Sequence, residues 1–297
     1  MVKDLSVVAN QGRWHLYGSE RWEPPERDDR HAVSSADLAD WTPLPETRTE
    51  VFNSPDITRQ PDGTWLMTHQ RTVGSGIQAV DRIVVSTASS LAGPWSKAQE
   101  ILIGQFPGQR LIDGALAHTS GGLFLIAKRG DRNLVPQVAE VFRSPSGSVG
   151  GPWEHLGAAD VGWTENYQLI EIDGAWHLLL TAIPIHTPTL FAMIGNPHDP
   201  SSWLHWRKLG DLDVPAETWN SAPGTADVSP GVAFERANSA YLVDHREADG
   251  YFYLFYAGST ELTSHDGRGL AHVGVARSGD LREWTVPGSS SADAGRN

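Results

Sequence analysis

A small or Ser-rich stretch ending in tryptophan recurs five times along the chain: SSADLADW at Trp41, STASSLAGPW at Trp95, RSPSGSVGGPW at Trp153, NPHDPSSW at Trp203 and ARSGDLREW at Trp284. Each is preceded by a turn and an apolar or aromatic run: QGRWHLYGS, PDGTWLMTHQ, SGGLFLIAKR, IDGAWHLLLT and ADGYFYLFYA, with turn glycines Gly12, Gly63, Gly122, Gly174 and Gly250. Asp-Gly and Gly-Gly between such runs mark hairpins, because these residues accept the positive φ angles of tight turns. Each cassette therefore reads as a small antiparallel sheet. Units of about 40 to 50 residues holding four strands have the size of propeller blades, which hide their edges by packing radially around a channel.

The expected fold class is all-β, a single five-bladed β-propeller over residues 1-297. Its blades fall at approximately 1-45, 51-100, 110-157, 164-209 and 232-288. The last interval is lengthened by a Pro, Ser and Gly-rich segment, residues 211-231, whose turn chemistry reads as a loop. An irregular β-sandwich would require five turn-strand-Trp cassettes to coincide by chance. Two ordinary domains would fit the length and leave the repeat unexplained.

The repeat also gives position a geometric meaning, since equivalent residues of the inner strands converge on one mouth of the channel. Counting back from each turn glycine, an acid stands at Asp4, Asp56, Asp113 and Glu165, seven to nine residues earlier. On this count four of the five blades aim a carboxylate at one place. Clustered like charges beside a low-dielectric core raise the pKa of at least one member. Two carboxyl groups, one protonated and one ionised, are what glycosidic cleavage through an oxocarbenium-like transition state needs.

Composition narrows the alternatives. The net charge is -13 with no run of Lys or Arg able to track a phosphate backbone, which argues against nucleic acid as a partner. No stretch approaches the roughly 18 apolar residues of a membrane helix, so no membrane partner is expected. The first residues, MVKDLSVVANQGRW, carry neither a basic leader nor an apolar segment. The chain as given reads as cytoplasmic, and as secreted if a signal peptide has been removed. Zero cysteines exclude disulfides, thiolate metal sites and a cysteine nucleophile. The absence of a G-x-S-x-G elbow, a phosphate loop and a dinucleotide fingerprint argues against serine hydrolase, kinase and dehydrogenase readings. The twelve histidines contain no H-E-x-x-H pair.

Several short motifs resemble those of glycoside hydrolase families 43 and 62, whose members are five-bladed propellers with a three-carboxylate site. KDLSVVANQGRWHLYGS is similar to the first-blade segment, and the resemblance makes Asp4 the general base. NSPDITRQPDGTW is similar to the second-blade motif and places Pro55 and Asp56 beside the pocket, without a proton-transfer role. LIDGALAH resembles the third-blade segment, so Asp113 would orient the acid and raise its pKa. TENYQLIEIDGAWHLLL resembles the fourth-blade segment that opens with the catalytic acid, here Glu165. Asn166 and Tyr167 follow that Glu where the family usually has Gly, and the family's fifth-blade Gly-His segment has no clear counterpart.

The resemblance implies an inverting hydrolase acting on an α-L-arabinofuranosyl, β-xylosyl or related unit of a small carbohydrate or polysaccharide. Asp4 would activate water and Glu165 protonate the leaving oxygen across roughly 6.5 to 9.5 Å. Two further readings stand beside it: a noncatalytic carbohydrate-binding or repurposed biosynthetic propeller, and a relative that transfers or phosphorolyses glycosyl groups. No cofactor is required; a structural calcium is the one ion the resemblance admits, with its ligands unassigned. Beyond the carboxylates and Asp56, Trp163 and Trp22 are candidate sugar platforms, and His69, Arg129 and His186 candidate hydroxyl donors. His118, Arg71, Lys128 and Arg268 also follow or lie on inner segments, with a packing or solvated role as the default.

Overall fold

A computed structural model describes residues 2–20, 32–44, 53–76, 79–130, 137–183, 187–215, 220, 237–258 and 272–286. They form five small antiparallel sheets, each made of consecutive strands. The first holds β1 (Val2–Asn10), β2 (Arg13–Glu20), β3 (Ala32–Ser35) and β4 (Thr42–Pro43). The second holds β5 (Asp56–Arg59), β6 (Trp65–Val73), β7 (Val80–Ala88) and β8 (Gln99–Glu100). The third holds β9 (Leu111–Thr119), β10 (Gly122–Arg129), β11 (Val138–Ser144) and β12 (Glu154–Ala158). The fourth holds β13 (Thr164–Ile172), β14 (Ala175–Ala182), β15 (Thr187–Met193) and β16 (Trp206–Asp211). Among the described residues the fifth has three strands, β17 (Asn238–Asp244), β18 (Phe252–Gly258) and β19 (His272–Ser278), with a single bridge from Arg277 to Thr285 at its outer edge.

The first strands of the sheets pack against one another, β1 with β5 and β17, and β9 with β5 and β13, so they form the inner ring. The protein is a five-bladed β-propeller. Of the 211-231 segment expected as a loop, residues 216–219 and 221–231 lie outside the described residues, and Asp211 ends β16. The fifth cassette departs from a tight hairpin. β17 and β18 are joined by one helical turn, Arg246–Asp249, closed by Gly250 in the left-handed conformation at φ 86°.

The core lies between blades, in five clusters, and each contains one repeat tryptophan. Trp41 packs between blades one and five, Trp95 between one and two, Trp153 between two and three, Trp203 between three and four, and Trp284 between four and five. Every repeat tryptophan thus seals the joint between its own blade and the one before. Trp203 is fully buried and stacks on Phe124 of blade three at 4.2 Å between centroids. A strand covered on both faces needs apolar residues at every position. In β10, Leu123, Leu125 and Ala127 enter the cluster toward blade two while Phe124 and Ile126 enter the one toward blade four.

Candidate active site

Each inner strand carries, within its first three residues or, in blade two, just before its start, one non-glycine residue in the left-handed region: Asp4 (φ 49°), Ser54 (φ 47°), Asp113 (φ 53°), Asn166 (φ 54°) and Ser239 (φ 49°). In blades one, three, four and five this residue sits in a bulge, where the pairing with the second strand slips. A bulge re-aims side chains, and these four residues and Ser54 line one opening. Asp and Asn tolerate the left-handed region better than other side chains that carry a Cβ. The same backbone requirement therefore selects small polar residues for the lining.

This ring corrects the sequence count. The structurally equivalent positions are Asp4, Ser54, Asp113, Asn166 and Ser239, so two blades rather than four place an acid there. Asp56 lies two residues beyond its ring position and Glu165 one residue before. Counting from turn glycines misses this because hairpin and bulge lengths differ between blades.

Asp4, which stands close to the chain's first residue, is buried and held from two other blades. Its Oδ1 accepts from Asn166 Nδ2 at 3.1 Å and from Ser239 Oγ at 2.9 Å. Asp113 and Glu165 are joined by Lys128, whose ammonium lies 3.1 Å from Asp113 Oδ2 and 2.7 Å from Glu165 Oε2. Burial works against the ammonium, but the two carboxylates outweigh it and hold its pKa above the ordinary lysine value. Lys128 had a solvated charge as its default. The alternation of β10 buries it instead, since it pairs with Ile112, next to Asp113. The Asp113 and Glu165 side chains differ in access, 5% exposed against 28%.

Asp56 lines the opening, yet its carboxyl is engaged on both oxygens: Tyr241 donates to Oδ1 at 3.0 Å from across the channel, and Leu116 N–H to Oδ2 at 3.1 Å. Burial raises its pKa to about 7 against the pull of those donors. His69 belongs to the interior of blade two, bonded to Ser86 at 3.2 Å, with its pKa pushed down to about 4 by burial and by Arg71. Arg129 is tied to Glu140 at 2.6 Å and to Gln109 at 2.9 Å, over the ring of Phe106. Trp163 is half-buried just before β13 and, like His69 and Arg129, is not among the residues lining the opening. Trp22, His186 and Arg268 lie outside the described residues. Sequence reasoning did not identify Ser54, Ser239 or Tyr241.

Among the described residues no group of three or more His, Asp or Glu side chains is arranged to hold a metal ion. No described helix is long and apolar enough to cross a membrane.

No protein-family model and no curated protein sequence matches the chain. Solved structures do. The fold is similar to that of a thermostable family-43 glycoside hydrolase, at 13% identity and a TM-score of 0.59, over 97% of this chain and 93% of that one. It is similar to an α-L-arabinofuranosidase from Clostridium thermocellum, at 15% identity and 0.56, over 93% and 89%. It is similar again to a family-43 β-1,3-galactosidase, at 12% identity and 0.57, over 96% and 93%. What the likeness fixes at these identities is the architecture: a five-bladed propeller of the family-43 type.

Proposed function

We propose that the chain is a glycoside hydrolase that inverts configuration, with Asp4 as general base and Glu165 as general acid. The observation that carries this reading is that Asp4 and Asp113, from two blades, line one opening, and that Lys128 ties Glu165 of a third blade to Asp113 beside it. Asp4 is fixed by two neutral donors, so it is held as an acceptor able to take a proton from water. Two carboxylates share one ammonium, so Glu165 can gain and lose a proton while Lys128 stays paired with Asp113. The better exposed Glu165 is the member suited to meet a leaving oxygen. Asp113 keeps the ammonium in place and, through it, the acid. This differs from a role in which Asp113 alone raises the acid's pKa, because the ammonium offsets its charge.

The substrate is a neutral furanosyl or pentosyl unit, in keeping with an α-L-arabinofuranosidase among the structural neighbours. The Lys128 clamp on Glu165 also favours a second reading, a carbohydrate-binding propeller whose acid is locked as an anion. A panel of aryl α-L-arabinofuranosides, β-xylosides, galactofuranosides and fructosides separates the two. Hydrolysis reduced about 10² to 10⁴-fold in both Asp4→Asn and Glu165→Gln supports the enzyme. Sugar binding without turnover by the folded parent supports the second reading.

A further inference from the structure

Asn166 occupies an unusual position among the three carboxylates. Its side-chain Nδ2 donates to Asp4 Oδ1 at 3.1 Å, its main-chain N–H points to Asp113 Oδ2 at 3.4 Å, and its peptide bond joins it to Glu165. The amide nitrogen faces the carboxylate, and its oxygen lies 3.3 Å from Ser239 Oγ, whose one hydroxyl proton can serve Asp4 or the amide oxygen but not both. A carboxylate only accepts hydrogen bonds, so this is the amide orientation the site requires. The bulge supplies the geometry: at φ 54° the main chain turns the side chain of Asn166 into the channel instead of along the sheet.

We propose that Asn166 is the positioning residue of the carboxylate site, fixing the plane and the protonation of Asp4 relative to Glu165. The proposal rests on the reading of Asp4 as the base and deepens it. One residue thereby sets the spacing between the proton-accepting and proton-donating groups, because the amide that orients Asp4 is on the residue next to Glu165. A hydrogen bond to a charged acceptor contributes about 1.5 to 3 kcal/mol. Its loss therefore moves the titration of that acceptor upward by about one pH unit or more.

The test is Asn166→Gly. Glycine accepts the left-handed backbone without penalty and keeps the main-chain N–H, so it removes the amide alone. The titration of Asp4 is followed by carboxyl ¹³C NMR in aspartate-labelled protein, the resonance being assigned by its loss in Asp4→Asn. The expected result is an upward shift of that titration and a matching shift of the acid limb of kcat/KM. Ser239→Ala should shift the same resonance in the same direction. An unmoved resonance in a folded Asn166→Gly protein overturns the proposal, whether or not the parent is active. A moved resonance in a parent inert toward every glycoside supports the positioning role while the hydrolase reading fails.

Discussion

The Lys128 ammonium lies 2.7 Å from Glu165 Oε2, contributed by the third blade to a carboxylate of the fourth. It is also bonded to Asp113 within its own blade, so removing it leaves two facing carboxylates with no shared cation. We expect Lys128→Met to lose about 3 kcal/mol of stability at pH 7, the cost of breaking a buried pair. The loss should shrink at pH 4, since a carboxyl that has gained a proton needs no cation beside it. Urea unfolding at the two pH values checks this, and an equal loss at both would assign Lys128 a packing role only.

Asp56 and His69 pull the stability of the fold in opposite directions with pH. Asp56 has its folded pKa raised from 3.8 to about 7, so its contribution is full below about 3.8 and is lost as pH rises through about 7. His69 has its folded pKa lowered from 6.5 to about 4, so its contribution is full above about 6.5 and is lost as pH falls through about 4. The two offset each other in the parent between about pH 4 and 7. Asp56→Asn, whose amide can accept from Leu116 N–H and donate to the Tyr241 hydroxyl, should unmask a rise in stability with pH. His69→Gln should unmask a fall. Denaturation midpoints from pH 4 to 8 read both slopes, each a few kcal/mol across the window.

Two turn glycines should differ sharply in their tolerance of a methyl group. At Gly122, with φ 122°, a Cβ would stand 2.4 Å from the carbonyl oxygen of Ser144, whereas at Gly174, with φ 75°, nothing lies within 4 Å. Gly174→Ala should cost only the left-handed backbone penalty, about 1 kcal/mol. Gly122→Ala should cost at least about 2 kcal/mol more, since main chain must move in β11. Equal costs in a urea titration would show that the third blade yields at this corner.

The architecture was legible in the sequence because its determinants are local and repeated. A glycine in each turn, an apolar run after it and a tryptophan at the end sit within about 40 residues of one another, and the tryptophans seal joints between neighbouring blades. The candidate site was legible only in part. Asp4 and Asp113 line the opening and Lys128 ties Glu165 to Asp113, but the ring is defined by backbone bulges that shift the count from blade to blade. The residue types offered a signal: Asp4, Ser54, Asp113, Asn166 and Ser239 are all small and polar, as a left-handed position in a channel favours. Lys128 was hidden for a different reason. A lysine at the end of a strand is ordinarily solvated, and its burial depends on two acids supplied by a neighbouring strand and a neighbouring blade.

Among the described residues no sheet combines strands from the two ends of the chain. Among them the ring closes through side chains, where Leu5, Val7 and Trp14 meet Tyr241, Val243 and Phe255, and where Ser239 reaches Asp4 across 235 positions of sequence. During synthesis on the ribosome, Asp4 emerges 235 residues ahead of its partner Ser239. The arrangement around it is completed only when the fifth blade docks, so a nascent chain carries an unfinished site until that blade has been translated.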